Sequence, residues 1–196
     1  MKVLFICTGN TCRSPMAEAI LQDKSDYQVK SAGIFAQPGT PTNEKAIAAL
    51  KSKHIHFNGS SQPLTNTLVE WADLILTMTN QHKYTVVSQF TQAHGKIYTL
   101  KEYVSDDIDE TWHALKQAHL NLEEKRSRVI EKHGGKLTEQ EQGDFFQEEL
   151  DEIHRLERKL PNLDIPDPFG LDQEAYQKTL TEISQAIDAL IKKLTE

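Results

Sequence analysis

Lys2-Val3-Leu4-Phe5-Ile6-Cys7-Thr8-Gly9-Asn10-Thr11-Cys12-Arg13-Ser14-Pro15 stands almost at the start of this 196-residue chain. Lys2 to Ile6 is a short apolar strand. A helix is expected over Pro15 to Asp23, with Ser14 at its N-cap and Pro15 at its first helical position, where a missing N–H costs nothing. Strand, tight loop and helix form the unit of a parallel sheet, and such sheets bind ligands where the carboxyl end of a strand meets the next helix.

The same alternation continues outward. Tyr27 to Ser31, Ala72 to Met78 and Lys96 to Leu100 read as further strands, and Thr42 to Lys53 and Gln81 to Phe90 as helices between them. A closing helix follows an Asp172 N-cap, with Tyr176, Leu180, Ile183, Ile187, Leu190 and Leu194 at helical spacing. The expected architecture is α/β, a four-stranded parallel sheet with helices on both faces joined by right-handed crossovers.

One segment breaks the alternation. Residues 105–160 hold 15 Asp or Glu and 9 Lys or Arg, so they carry −6 of the chain's formal charge of −7. Ile108, Trp112, Leu115, Leu122 and Val129 line one helical stripe, with His119 and Arg126 in the gaps; Phe146, Leu150, Ile153 and Leu160 line a second. Gly134-Gly135 stops the first helix, and Thr138 with Glu141 makes a capping box for the next. The reading is an inserted α-helical hairpin, residues 105–160, within a domain made of residues 1–104 and 161–196.

Composition excludes several functions. The acidic balance and the lack of a clustered basic stripe argue against nucleic acid. No apolar run is long enough for a membrane span or a signal segment, so a cytoplasmic protein is expected. Two cysteines cannot staple 196 residues, and a reducing compartment with a chemical use for Cys7 and Cys12 is the better reading. The eight histidines show no compact zinc-ligand spacing, so no metal site is expected.

The chemistry concentrates in the first loop. Gly9 and Asn10 tolerate left-handed backbone angles, which turn successive N–H groups of Thr8 to Ser14 inward. With the helix dipole they make a nest for a tetrahedral oxyanion such as phosphate. Cys7 stands at its base, where positive potential favours thiolate over thiol. Arg13 offers a planar fork for two non-bridging oxygens. A thiolate facing a cradled phosphoryl group is set for in-line attack through a phosphocysteine, and Asp167, in the proline-stiffened stretch Ile165 to Gly170, is the candidate proton donor.

Cys7 to Pro15 together with Asp167-Pro168-Phe169-Gly170 resembles the low-molecular-weight protein tyrosine phosphatase family, and within it the bacterial protein-arginine phosphatase branch. Ser31-Ala32-Gly33, Ser60 to Leu64 and Trp71 to Met78 share the resemblance, which spans about residues 1–104 and 161–196. It implies a flavodoxin-like fold and a phosphorylated protein substrate, with no metal or organic cofactor. It also implies Cys7 as nucleophile, Arg13 as phosphate clamp and Asp167 as general acid and then base. Ser14 would hydrogen-bond the thiolate and Asn10 would hold the loop's shape, with Thr8, Gly9 and Cys12 completing the cradle.

Thr11 bears on the branch. The phosphotyrosine members usually carry a bulkier aliphatic residue there, whereas Thr leaves room for a guanidinium and can help to orient water; Phe169 would line the pocket beside it. Cys12 has two readings, as a reversible disulfide partner of Cys7 or as a packed neighbouring thiol. The resemblance says nothing of residues 105–160, for which a site selecting a protein partner beside the active-site mouth is one expectation. Phosphotyrosine hydrolysis is the alternative activity. An arsenate reductase would need further cysteines, a phosphocysteine carrier would not need Arg13 and Asp167, and a non-catalytic interaction module would not need Cys7.

Overall fold

The computed structural model describes residues 1–105, 108–133, 139–160 and 162–196. Strand β1 (Lys2–Cys7) leads through the first loop into α1 (Arg13–Lys24), followed by β2 (Gln28–Gly33), α2 (Glu44–Ser52), α3 (Asn66–Trp71), β3 (Leu74–Thr77) and α4 (Asn80–Gln89). A 3-10 turn precedes β4 (Ile97–Thr99) and α5 (Leu100–Val104); then come α6 (Ile108–His133), α7 (Glu139–Glu157) and α8 (Gln173–Thr195). The four strands form one parallel sheet in the order β2-β1-β3-β4.

β1 is central and flanked on both sides, with Leu4 opposite Lys30 in β2 and Ile75 in β3. Its side chains alternate between two cores. Val3, Phe5 and Cys7 pack with Met16, Ile20, Leu50, Tyr176, Leu180, Ile183 and Ile187, under α1, α2 and α8. Leu4 and Ile6 pack on the other face with Leu68, Val69, Ile75 and Val86, under α3 and α4. Burial on both faces is why β1 and β3 read as continuous apolar runs, whereas β2 at the sheet edge exposes Gln28 and Lys30; each buried aliphatic side chain contributes roughly 1.5–3 kcal/mol. The Asp172 side chain caps α8 as expected, accepting from the Ala175 N–H at 2.9 Å.

Several boundaries moved. The apolar run Ala72 to Met78 is not one strand: Ala72 caps α3, its N–H bonding Leu68 O, and Asp73 turns away to accept from the Lys2 N–H at 2.8 Å. The helix α3 ahead of it has no long apolar stripe to announce it; its start is set by Thr65, whose hydroxyl accepts from Leu68 N–H. β2 extends two residues beyond Ser31, because Gly33 continues the ladder with Cys7.

Residues 105–162 form a compact unit distinct from the one made by 1–104 and 163–196. In it α6 and α7 pack through Leu115, Ala118, Leu122, Phe146, Ile153 and Leu156, with Val129, Leu150 and Leu160 beside them. Lys125 spans the two helices to Glu149, and Arg126 lies over the Phe146 ring. The expected glycine stop, the Thr138 capping box and the Trp112 side chain lie outside the described residues. No helix among the described residues is long and apolar enough to cross a membrane.

Candidate active site

β1 ends at Cys7, and the chain must reverse within five residues to start α1 at Arg13. Asn10 makes that possible with φ 54°, a left-handed angle that Asn tolerates because its side chain bonds locally. Gly9 is not left-handed, contrary to expectation; it lines the cavity wall, and a Cβ there would lie 3.7 Å from Thr11 Oγ1. Ser14 is not the N-cap either. The helix begins one residue before it, Cys12 takes the cap position without a side-chain bond, and the Ser14 hydroxyl lies 3.0 Å from Cys7 Sγ.

Behind the loop a buried chain of hydrogen bonds fixes every polarity. Asn10 Nδ2 donates to Ser14 Oγ at 2.9 Å and to Ser31 Oγ at 2.7 Å, while Asn10 Oδ1 accepts from the Gln62 N–H at 2.9 Å. Ser31 passes its own hydrogen to Glu18 Oε2 at 2.6 Å. Burial pushes the Glu18 carboxyl above its ordinary range, opposed by the hydrogen bonds it accepts from Ser31 and Gln22. Because Ser14 already accepts from Asn10, its one hydrogen is free to point at the sulfur. The Asn10 N–H donates to the same sulfur at 3.3 Å, so two donors converge on Cys7.

Arg13 is buried and reaches across to the loop before α8. One of its terminal nitrogens donates to Ile165 O at 3.1 Å and the other to Asp167 Oδ2 at 2.5 Å. The end of the sheet positions that loop: Ile165 N–H donates to Met78 O at 2.7 Å, and the Asp164 carboxylate accepts from the Asn80 N–H at the start of α4. Asp167 Oδ1 accepts from Phe169 N–H, and the Asp167 side chain is half exposed. Residues more than 150 positions apart thus share one site.

The result is a cavity of about 240 Å³ lined by Cys7, Thr8, Gly9, Thr11, Cys12, Arg13, Asp167 and Phe169. Eight of the ten residues singled out in the sequence line it; Asn10 and Ser14 are buried behind it. Phe169, 68% exposed, stands at the rim. Cys7 and Cys12 are both free thiols. Cys12 Sγ lies 3.3 Å from Tyr176 OH, and burial raises both the Cys12 thiol and the Tyr176 hydroxyl above their usual values. Among the described residues no group of three His, Cys, Asp or Glu side chains is placed to hold a metal ion.

A model of low molecular weight phosphotyrosine protein phosphatases matches residues 2–138, well over half of the chain. This chain belongs to that family. As a low-molecular-weight phosphatase it is a cysteine-dependent enzyme, and the matched stretch includes the whole Cys7 loop while stopping short of Asp167. The protein-arginine-phosphatase of Bacillus subtilis strain 168 is 38% identical over 165 residues, covering 82% of this chain and 94% of that protein. The low-molecular-weight protein-tyrosine-phosphatase PtpB of Staphylococcus aureus is 34% identical over 134 residues, 66% of this chain and 94% of its own. Among solved structures, the YwlE arginine phosphatase from Geobacillus stearothermophilus superposes with a TM-score of 0.70 at 31% identity, over 99% of this chain and 92% of that one.

Residue-by-residue reading of the sequence missed part of the site. Glu18, His82 and Tyr176 carry no motif, and Gln62 lies in the Ser60 to Leu64 stretch of the resemblance without a role of its own. Glu18 sits four residues beyond Ser14 on the same helix, and Tyr176 was legible only as an apolar seam position. His82 had one faint signal, its place at the start of the helix that follows a central strand.

Proposed function

We propose that this phosphatase hydrolyses phosphoarginine in proteins, with residues 1–104 and 161–196 as the catalytic domain. The observation that carries the substrate choice is the cavity wall, where the Thr11 hydroxyl and the Asp167 carboxyl line the same cavity as Cys7. A guanidinium is flat, cationic and rich in N–H donors, so a hydroxyl and a carboxylate suit it better than an aliphatic wall does. The protein-arginine-phosphatase relatives support the same reading.

Cys7 thiolate attacks phosphorus in line with the P–N bond, forming S–P as P–N breaks. The inward N–H groups of the loop and Arg13 hold the three equatorial oxygens, where charge is spread in the transition state. Those oxygens compete with Asp167 for the Arg13 fork and release the carboxylate, which takes up a proton from solvent, faces the leaving nitrogen and gives that proton to it. Asp167 then takes a proton from water, whose oxygen attacks phosphorus; phosphate leaves and the thiolate returns, held by Ser14 and the Asn10 N–H. The reaction balances as phosphoarginine plus water giving arginine plus phosphate, with no cofactor. A free thiolate nucleophile suits a reducing, cytoplasmic setting.

The test is the ratio of kcat/KM on matched phosphoarginine and phosphotyrosine peptides, for wild type and Thr11→Ile. Wild type is expected to prefer phosphoarginine, and Thr11→Ile to lose that preference by about tenfold or more, the size of one lost polar contact to a charged group. A wild-type preference for phosphotyrosine would reverse the assignment. Residues 105–160, carrying most of the negative charge, are proposed as a contact for a protein partner. Their replacement by a short linker should change turnover of phosphoproteins relative to a small aryl phosphate.

A further inference from the structure

His82 is 7% exposed, on the first turn of α4, and its Nε2 lies 2.9 Å from Thr8 Oγ1. Its Nδ1 is buried with no hydrogen-bond partner among the described residues. Thr8, by contrast, is exposed and lines the cavity directly after Cys7. A buried histidine is therefore hydrogen-bonded to a residue of the cavity wall through one hydroxyl.

The ring's protonation can be derived from these contacts. Burial and the Arg13 guanidinium hold His82 neutral, with a pKa lowered to about 4; the Asp167 and Asp164 carboxylates act weakly the other way. A neutral ring carries one hydrogen. On Nδ1 it would be a buried donor without an acceptor, whereas on Nε2 it has Thr8 Oγ1, and only a lone pair is left unpaired. Orphaned buried N–H groups are the rarer and costlier case. A threonine hydroxyl that accepts from an imidazole has its own hydrogen left over, and the open side of Thr8 is the cavity.

We propose that His82 is a positioning residue of the phosphate pocket: its Nε2–H donates to Thr8 Oγ1 and so turns the Thr8 hydroxyl hydrogen into the cavity as a further donor to the bound phosphoryl oxygens. The proposal rests on the Cys7 loop being the phosphate site. It adds a side-chain donor to a cradle otherwise made of backbone N–H groups and Arg13. It also explains a buried histidine beside an arginine, a pairing that burial and charge both disfavour unless the ring is neutral.

The experiment compares wild type, Thr8→Val, His82→Leu, the double variant and His82→Gln, measuring competitive inhibition by inorganic phosphate during turnover of a small aryl phosphate. Thr8→Val and His82→Leu are each expected to weaken phosphate inhibition about tenfold, the size of a hydrogen bond to a charged group. The double variant should lose no more than either single one, because the two residues act through one hydrogen. His82→Gln, whose amide reaches about as far as Nε2, should stay within threefold of wild type. Imidazole 15N spectra of the wild-type protein should show the neutral Nε2–H form at pH 7, a measurement that stands even if His82→Leu does not fold.

An Nδ1–H or doubly protonated ring, additive losses, or a Thr8→Val variant as sensitive to phosphate as wild type would overturn the proposal. If Cys7→Ser still turns over the aryl phosphate, the site reading itself fails and this inference falls with it. If turnover requires Cys7 and phosphate competes, yet Thr8→Val is unchanged, only the role of His82 fails.

Discussion

Acid should destabilise this protein through His82, and the size of the effect follows from its surroundings. The folded ring has a pKa of about 4 where an unfolded histidine has 6.5, because burial and Arg13 both oppose its charge. Between those values the unfolded chain binds a proton that the folded chain does not, so stability falls as pH falls. The contribution is complete above pH 6.5 and is lost progressively down to about pH 4. At pH 5 the unfolded ring is 1.5 pH units below its pKa while the folded ring is still mostly neutral, which amounts to about 2 kcal/mol at ~1.4 kcal/mol per unit. That is a measurable share of the ~5–15 kcal/mol typical of a folded domain. The assay is urea unfolding at pH 7, 6 and 5 for wild type and His82→Gln. Glu18, raised by burial, shifts stability in the opposite sense, but it does so in both proteins and cancels in the comparison. His82→Gln should be less acid-sensitive than wild type by about 2 kcal/mol between pH 7 and 5. Equal pH slopes for the two proteins would refute the reasoning.

Gly33→Ala should damage both stability and catalysis, since a Cβ there would stand 2.7 Å from Thr8 O and 2.9 Å from Asn10 N, backbone atoms that cannot yield without moving the Cys7 loop. A loss of about 1–3 kcal/mol in thermal unfolding with a fall in kcat/KM is expected, and an unchanged kcat/KM would count against the packing. Asn10→Ala removes donors to Ser14 and Ser31 and the acceptor for Gln62 N–H, at a left-handed position where Ala is strained. It should lower stability by about 2–4 kcal/mol, read by urea unfolding. Ser14→Ala removes one of the two donors described at the sulfur, so alkylation of Cys7 by iodoacetate at pH 6 should slow about tenfold at constant fold, followed by mass spectrometry.

Reading outward from Cys7 to Pro15 was enough for the α/β alternation, the parallel sheet and the cavity lining, because these depend on local chemistry. Apolar runs of strand length, a helix following the first loop, and a thiol six residues before a guanidinium are all visible without coordinates. Asp167 was legible for a different reason, as a carboxyl stiffened by prolines directly before an amphipathic helix. The misreadings share a cause as well. Ser14 has the residue type of an N-cap, but its hydroxyl is drawn to Cys7 Sγ by a polarity that begins at Glu18 and passes through Ser31 and Asn10. Ala72 to Met78 has the composition of a strand, but Asp73 is held by the Lys2 N–H across 71 positions.

What the sequence by itself determined is therefore the set of candidate reacting groups and the order of elements that carries them: Cys7 at a strand end, Arg13 at a helix start and Asp167 on the loop before the last helix. What only the tertiary structure decided is the direction of each hydrogen. Whether Ser14 points at sulfur, whether Arg13 meets Asp167, and whether His82 lends its hydrogen to Thr8 depend on which partners packing brings within about 3 Å. Hydrogen bonds act over such distances and in fixed directions. Residue type sets what a group can donate or accept, and the fold alone sets to whom.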